Sequence, residues 1–194
     1  PGYDGWVSAP AGATFGSQTQ TRATFAGEWG EDIIPNVVQA YVTVSYFDNL
    51  MRNDLTDDLA QLSADLTATT GIPWNLRGRD RGVSLVGGGR YLFASQGPIR
   101  PYVGGGGGVI NLKRTIADGR AGNVTVPVLN EFGIGELTIT THNLTRPLLE
   151  GAVGVVLFGG GPVYVDVGYR YRRAFHLSES FNFSQAVGAV GYRF

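Results

Sequence analysis

Three neighbouring residues have the side chains of a hydrolytic triad. His176, Ser178 and Glu179 lie within a stretch of four residues. In an extended segment adjacent side chains point to opposite faces, so Glu179 would face away from Ser178. A triad needs its base within hydrogen-bonding reach of both the nucleophile and the orienting acid. We therefore interpret this segment as a polar loop and predict that the chain is not an enzyme.

Other common chemistries are also missing from the residue pattern. The chain has no cysteine and only two histidines, which excludes thiol catalysis and gives no basis for a metal site. The glycine run at residues 104–108 is not followed by the lysine and hydroxyl residue of a phosphate-binding loop. A net charge of −1 gives no electrostatic case for nucleic acid. The sequence predicts no cofactor, no metal and no nucleic-acid partner.

Composition and patterning favour a β-protein. The chain has 30 glycines in 194 residues and 16% charged residues, against about 25% charged in ordinary soluble domains. From Val163 to Arg172, apolar residues alternate with charged or small ones, as in a strand with two different faces. Comparable stretches predict eight strands, near residues 2–9, 20–31, 37–49, 81–94, 99–113, 146–158, 163–173 and 181–194.

The connections between these strands alternate in length. Short turns rich in glycine or proline are predicted near residues 31–36, 94–98 and 159–162. Long loops are predicted near residues 10–19, 50–80 and 114–145. Short turns at one rim and long loops at the other are typical of an up-and-down barrel. We predict one all-β domain over residues 1–194, an eight-stranded antiparallel barrel whose apolar face meets lipid.

Strand alternation assigns a set of charged side chains to the barrel interior. Eight strands leave just enough room inside for side chains, and an unpaired buried charge is very costly. The set contains three acids and four arginines, which is close to balance. We predict a salt-bridge network that plugs the lumen, formed by Arg22, Glu28, Arg90, Glu150, Asp166, Arg170 and Arg172.

The two longest loops have regular patterns of their own. Leucines recur at helical spacing in the loop 50–80 and predict a helix ended by Gly71 and Pro73. Residues 123–130 and 135–143 are strand-like and predict a β-rich projection, whose edge could pair with another chain. The helix is a candidate interaction surface that caps the barrel mouth or meets a neighbouring subunit; its leucines are Leu55, Leu59, Leu62 and Leu66.

The last strand carries a family resemblance. The segment VGAVGYRF, residues 187–194, places Val190, Tyr192 and Phe194 on one face. It resembles the C-terminal strand of bacterial outer-membrane β-barrels, whose assembly signal is a terminal Phe preceded by alternating apolar residues. The stretch GPIRPYVGGGGG, residues 97–108, is similar to the small barrels related to the transmembrane domain of outer-membrane protein A. The resemblance implies that Val190, Tyr192 and Phe194 are the assembly signal. It also implies an outer-membrane location with both termini on the periplasmic side.

These observations predict a structural or interaction protein that displays its loops at the cell surface. Its expected partners are outer-membrane lipid and an unidentified surface ligand. One alternative is a self-assembling subunit of an extracellular filament or lattice, with residues 1–17 as a donated strand and sister copies on its apolar face. A second is a lipid hydrolase, since His176 and Ser178 resemble the His-x-Ser pair of outer-membrane lipid A deacylases. A third, a narrow pore or small-ligand carrier, is disfavoured by the near-balanced lumen charge.

Overall fold

Eight long strands and one helix form the framework of the protein. The computed structural model describes residues 5–16, 19–48, 50, 53–93, 96–118, 122–123, 143–175 and 180–194. The helix α1 (Asn53–Thr70) lies between β3 and β4, and a two-residue strand β6 (Gly122–Asn123) extends the edge of β5. The long strands are β1 (Gly5–Gly16), β2 (Thr19–Ile34), β3 (Val38–Phe47), β4 (Leu76–Leu92), β5 (Ile99–Asp118), β7 (Asn143–Phe158), β8 (Val163–Ala174) and β9 (Phe181–Arg193).

The long strands close into an antiparallel up-and-down barrel. Each pairs with the long strands before and after it in sequence, and β1 pairs with both β2 and β9. Ala11 of β1, for example, lies opposite Phe25 on one side and Gly188 on the other. The predicted fold class is thereby confirmed. The N-terminal strand has both of its partners within the same chain.

The strands are strongly staggered around the barrel. Starting at Val163 of β8, the residue paired across each interface can be traced once around the eight long strands. The path returns to β8 at Arg173, so the shear of the barrel is ten residues. With about 3.3 Å per residue and about 4.8 Å between strands, this shear corresponds to a strand tilt of about 40°. Such a barrel is narrow, so side chains from non-adjacent strands meet inside it.

Several strand boundaries differ from those expected. The long loop predicted near 10–19 is wrong, because β1 continues to Gly16 and only residues 17–18 separate it from β2. Strand β4 begins at Leu76, within the loop predicted at 50–80, and β5 continues to Asp118, beyond the expected residue 113. The N-terminal segment is rich in small residues, and the start of β4 is charged. Both segments are extended because they pair with neighbouring strands. The local sequence pattern does not reveal this pairing.

The two faces of the barrel wall have opposite character. Along β8, odd-numbered side chains are exposed and even-numbered ones are mostly buried, as the alternation predicts. The exposed set is apolar over most of the strand, with Val165 at 40% and Val167 at 54% exposure, while Asp166 is 5% exposed. The outer surface therefore forms an apolar belt, and the interior contains charged and polar side chains together with a cluster of buried apolar ones. Among the described residues, no helix is long and apolar enough to cross a bilayer.

Hydrogen bonds fasten α1 to the segment that leads into β4. The hydroxyl of Ser63 accepts a hydrogen bond from the backbone N–H of Leu76 at 2.9 Å. One turn further, the Thr67 hydroxyl accepts a hydrogen bond from the backbone N–H of Trp74 at 2.8 Å. The helix thus folds back on the strand that follows it, and the predicted helix-bearing loop is confirmed.

The leucines of α1 lie mainly on the side of the helix that is buried in the protein. Leu59 and Leu66 are 3% and 2% exposed, on the same face as Ser63, and Leu62 is half-buried. Leu55 belongs to the helix, but its side chain lies outside the described residues. Leu59 and Leu66 are therefore covered by the protein itself, which agrees with a helix that caps the barrel, and contact of α1 with a neighbouring subunit stays a prediction.

Candidate functional site in the barrel interior

A four-membered charge cluster occupies the middle of the barrel. Arg90 of β4 lies 3.1 Å from the carboxylate of Asp166 on β8, and 3.6 Å from that of Glu28 on β2. Glu28 also pairs with Arg170 of β8, at 2.6 Å. All four side chains are at most 7% exposed. The cluster joins strands on different sides of the barrel, as the narrow interior allows.

A second ion pair lies toward the loop end of the interior. Arg172 contacts Glu150 at 2.5 Å, and both side chains are fully buried. The other oxygen of Glu150 accepts a hydrogen bond from the Tyr41 hydroxyl at 2.9 Å. Arg172 also donates to the hydroxyls of Ser45 and Ser84, at 3.2 and 3.3 Å. Residues from β3, β4, β7 and β8 thereby converge on one guanidinium group.

The structure brings together six of the seven predicted lumen residues. Three arginines (Arg90, Arg170, Arg172) face three carboxylates (Glu28, Glu150, Asp166), so the buried charges balance. Arg22 lies apart from them. Its side chain is exposed near the loop end of β2, beside Asp48 and Arg79. The alternation places Arg22 on the inner face, but the residue lies beyond the narrow part of the barrel.

Polar and aromatic partners missed by the charge pattern complete the central cluster. The Tyr102 hydroxyl donates to Asp166 at 3.0 Å, and the Thr43 hydroxyl donates to Glu28 at 2.7 Å. The guanidinium group of Arg90 lies over the Trp6 ring, 4.2 Å from its centroid, a favourable cation–π arrangement. The signal that could have found these residues was present. Tyr102 and Thr43 lie at buried, inward-facing positions in the alternating patterns of β5 and β3.

Inward-facing glycines make room for the interior aromatic rings. A Cβ atom on Gly154 or Gly168 would lie 2.6 Å from the Tyr102 hydroxyl oxygen. A Cβ on Gly88 would lie 2.8 Å from the Tyr41 hydroxyl oxygen. These strand glycines therefore leave the space that the Tyr102 and Tyr41 side chains occupy.

A third cluster occupies the end of the barrel where the chain termini and short turns lie. Arg193 of β9 pairs with Asp32 at 2.6 Å, and Asn36 in the β2–β3 turn accepts a hydrogen bond from Arg100 at 2.6 Å. The guanidinium groups of Arg100 and Arg193 lie 4.3 and 5.4 Å from the centroid of the Phe158 ring. The sequence analysis did not single out these residues, of which only Asn36 lies in a turn and the others lie at strand ends.

A small cavity lies beside the central charges. A cavity of about 10 Å³ lies next to Arg170 and Arg172, close to the other polar side chains Thr24, Ser45 and Gln185. This volume is about that of one water molecule. The described residues contain no group of three or more side chains that could hold a metal ion. His176 and Ser178 lie outside the described residues.

The residues of the expected assembly signal lie on the outer face of β9. Val190, Tyr192 and Phe194 are 61%, 49% and 59% exposed. The backbone of Phe194 pairs with that of Gly5, donating to its carbonyl at 3.0 Å and accepting from its N–H at 3.3 Å. The three side chains thus border the seam where the first and last strands meet. Their part in assembly stays a prediction.

Of the strand-like segments predicted in the last long loop, little falls within the described residues. Gly122 and Asn123 pair with Asp118 and Ala117 at the end of β5. Asn143 begins β7 and lies opposite Lys113. The rest of residues 123–143 lies outside the described part of the chain.

Comparisons with known proteins support a fold-level assignment. No protein-family model and no curated protein matches the sequence. Among solved structures, Neisserial surface protein A matches with a TM-score of 0.59 and 16% identity, over 98% of this chain and 97% of that one. The attachment invasion locus protein Ail of Yersinia pestis matches with a TM-score of 0.54 and 12% identity, over 100% of both chains.

A further match is the N-terminal β-barrel domain of OprF from Pseudomonas aeruginosa. Its TM-score is 0.53 and its identity 12%, over 97% of both chains. At such identities the likeness concerns the fold, and one fold can host many functions. The chain has the fold of the small eight-stranded outer-membrane β-barrels.

Proposed function

We propose that this protein is a non-enzymatic outer-membrane barrel, which uses an ion-paired interior as a plug and acts through the loops at one rim. The observation that carries the proposal is the balanced set of three arginines and three carboxylates in the lumen. Burying a charge without a partner costs free energy, so each of these six side chains stabilises the buried position of the side chain that it pairs with. The barrel is then a rigid support for loops rather than a conduit.

The outer surface supports a membrane location. Large apolar side chains on consecutive outward positions are about half exposed, among them Val83, Leu85, Val153 and Val167. An apolar surface of this extent requires cover by lipid or by another protein. A closed barrel satisfies its backbone hydrogen bonds within the wall, which is what a bilayer demands of a spanning structure. Lipid is therefore the proposed cover.

The lumen proposal is tested by conductance. The full chain would be reconstituted in planar phosphatidylcholine bilayers, with a large porin as positive control. We expect no steady conductance, because the ion pairs bridge the interior and the cavity beside them holds about one water. Stable ohmic steps from the unmodified protein would overturn the plug and favour a pore.

The membrane proposal is tested by partition. Cells producing the protein would be fractionated, and unboiled and boiled samples compared on a gel. Recovery only with detergent, as a monomer whose mobility shifts on boiling, is the expected result. Recovery without detergent as a very large assembly would favour the filament alternative, in which sister subunits cover the apolar face. In the structure, β1 pairs within its own chain, so such a filament would not need a donated strand.

A further inference from the structure

A row of exposed arginines continues the outer face of β4 beyond its apolar part. Arg77, Arg79 and Arg81 occupy successive outward positions, and Val83 and Leu85 follow in the same row, each 50% exposed. On the neighbouring strand β5, Lys113 is exposed directly opposite Arg81. Four basic side chains therefore lie together at the loop end of the wall.

The basic row borders a recess of about 480 Å³. Its charged lining consists of four arginines and a single carboxylate, that of Asp48. Asp48 is paired with Arg79. Within the described part of the chain, no ion pair joins Arg77, Arg81 or Lys113 to a carboxylate. The recess therefore carries an excess of positive charge, and its lining is Arg22, Asp48, Arg77, Gly78, Arg79, Arg81, Thr115 and Ala117.

The position of the row relative to the apolar belt indicates which anion it meets. Two residues of strand span about 6.6 Å, which at a tilt of about 40° is about 5 Å along the barrel axis. Arg81 thus lies about one such step beyond Val83, and Arg79 and Arg77 follow at two and three steps. Arg81 therefore lies at the depth where lipid headgroups begin, at the end of the hydrocarbon, and Arg79 and Arg77 lie further outward, where only a large headgroup extends.

We infer that this recess binds the phosphate groups of an outer-leaflet phosphoglycolipid. Arginine binds phosphate well, because its planar guanidinium group donates two parallel hydrogen bonds to a pair of oxygens. Three arginines at successive depths match a headgroup that carries phosphates at more than one height. The hydroxyl of Thr115, in the same lining, adds a donor for a phosphate or sugar oxygen. The inference rests on the proposed membrane location, with the loops on the outer side.

The test measures binding of bisphosphorylated lipid A to the purified full chain in neutral maltoside micelles, by native mass spectrometry. The same glycolipid without phosphates is the comparison ligand. The test variant is R77Q/R81Q/K113Q, which leaves the Arg79–Asp48 pair in place. Each removed cation is expected to weaken binding about fivefold, so the triple variant should lose about a hundredfold. The affinity for the phosphate-free glycolipid should not change.

Arg173→Gln is the matched control. This exposed arginine lies on the outer face of β8, outside the recess, so its replacement should change the affinity less than twofold. The single variant Arg81→Gln, with an expected fivefold loss, serves if the triple variant does not fold. Folding is verified for every variant by the mobility shift on boiling. Equal binding by the unmodified protein and the recess variants would overturn the inference.

A soluble ligand distinguishes binding of a lipid headgroup from binding of any free polyanion. Inositol hexakisphosphate presents several phosphates without acyl chains, and we expect it to bind at least tenfold more weakly than lipid A. Equal or tighter binding of the soluble compound would overturn the lipid assignment. Failure of this inference is distinguishable from failure of the membrane proposal, which would show as recovery of the protein without detergent.

Discussion

Arg90 and Asp166 meet across the interior of the barrel, with 3.1 Å between their charged groups. Their strands, β4 and β8, are not neighbours in the sheet. The contact therefore joins two parts of the wall that no backbone hydrogen bond connects. Asp166 also accepts a hydrogen bond from Tyr102 of β5, so three strands are held at one carboxylate. Ion pairs of this kind connect strands on different sides of the barrel through its interior.

Replacing Arg90 should destabilise the barrel strongly. In Arg90→Met, the Asp166 carboxylate stays buried without its cation, and removal of one partner from a buried pair costs about 3–5 kcal/mol. The free energy of unfolding would be measured in urea from lipid vesicles by tryptophan fluorescence. The control is Arg79→Gln, which breaks an ion pair whose side chains are 45% and 39% exposed, and such pairs contribute less than about 1 kcal/mol. Equal losses in the two variants would refute a structural role for the central cluster.

The contact between Gly168 and Tyr102 predicts a rescue. A methyl group in Gly168→Ala would lie 2.6 Å from the Tyr102 hydroxyl oxygen, and such overpacking costs about 1–3 kcal/mol. Tyr102→Phe removes that oxygen, together with a hydrogen bond to the Asp166 carboxylate that contributes about 1.5–3 kcal/mol. The double variant should therefore lose less stability than the sum of the single variants.

The control for this pair is Gly188→Ala, since a Cβ there would meet nothing within 4 Å. Its unfolding free energy should stay close to that of the unmodified protein. If the losses of unfolding free energy in Gly168→Ala and Tyr102→Phe simply add in the double variant, the Tyr102 side chain does not contact Gly168 as described. The measurement is the same urea titration in vesicles.

The fold was predictable because its two signals are local. Alternation along a strand requires only neighbouring residues, and the short turns are marked by glycine and proline. The prediction went wrong at residues 10–16 and 76–80, where the side chains are small or charged. Those segments are extended because β2, β9 and β5 pair with them, and pairing between distant segments leaves no local trace.

The members of the interior cluster were predictable, but their pairing was not. Alternation alone assigned Glu28, Arg90 and Asp166 to the inner face. Which acid meets which arginine depends on the shear, because it sets the heights of the eight strands relative to one another. Alternation likewise assigned Arg22 to the inner face, but it could not show that this residue lies at the rim of the barrel, where its side chain is exposed. Tyr102 was missed because an aromatic residue fits either face of a barrel wall.

Truncating Leu66 should loosen the loop while leaving the barrel intact. Leu66→Ala removes a side chain that is 2% exposed, and such a truncation costs about 2–5 kcal/mol of local packing. Because α1 contacts the wall mainly at β4, the gel mobility shift on boiling should persist. Proteinase K, which does not require the basic residues that α1 lacks, should cleave the loop faster in this variant than in Leu62→Ala, where the leucine is only half-buried. Unchanged cleavage would show that the helix is not held by its leucine face.

Replacing Phe194 tests whether the outward side chains at the end of β9 are needed for assembly into the membrane and not for the stability of the folded barrel. Its side chain is 59% exposed, so Phe194→Ala removes little buried surface and should change the free energy of unfolding by less than about 0.5 kcal/mol. If the resemblance to C-terminal barrel strands holds, the amount of folded protein in the outer-membrane fraction of producing cells should nevertheless fall severalfold. The control is Phe93→Ala, at the same end of the barrel and 64% exposed. Because Phe93 lies beyond β4 and not on β9, its loss should leave that amount unchanged. An equal fall in both variants would mean that the apolar belt, and not the last strand, governs the yield.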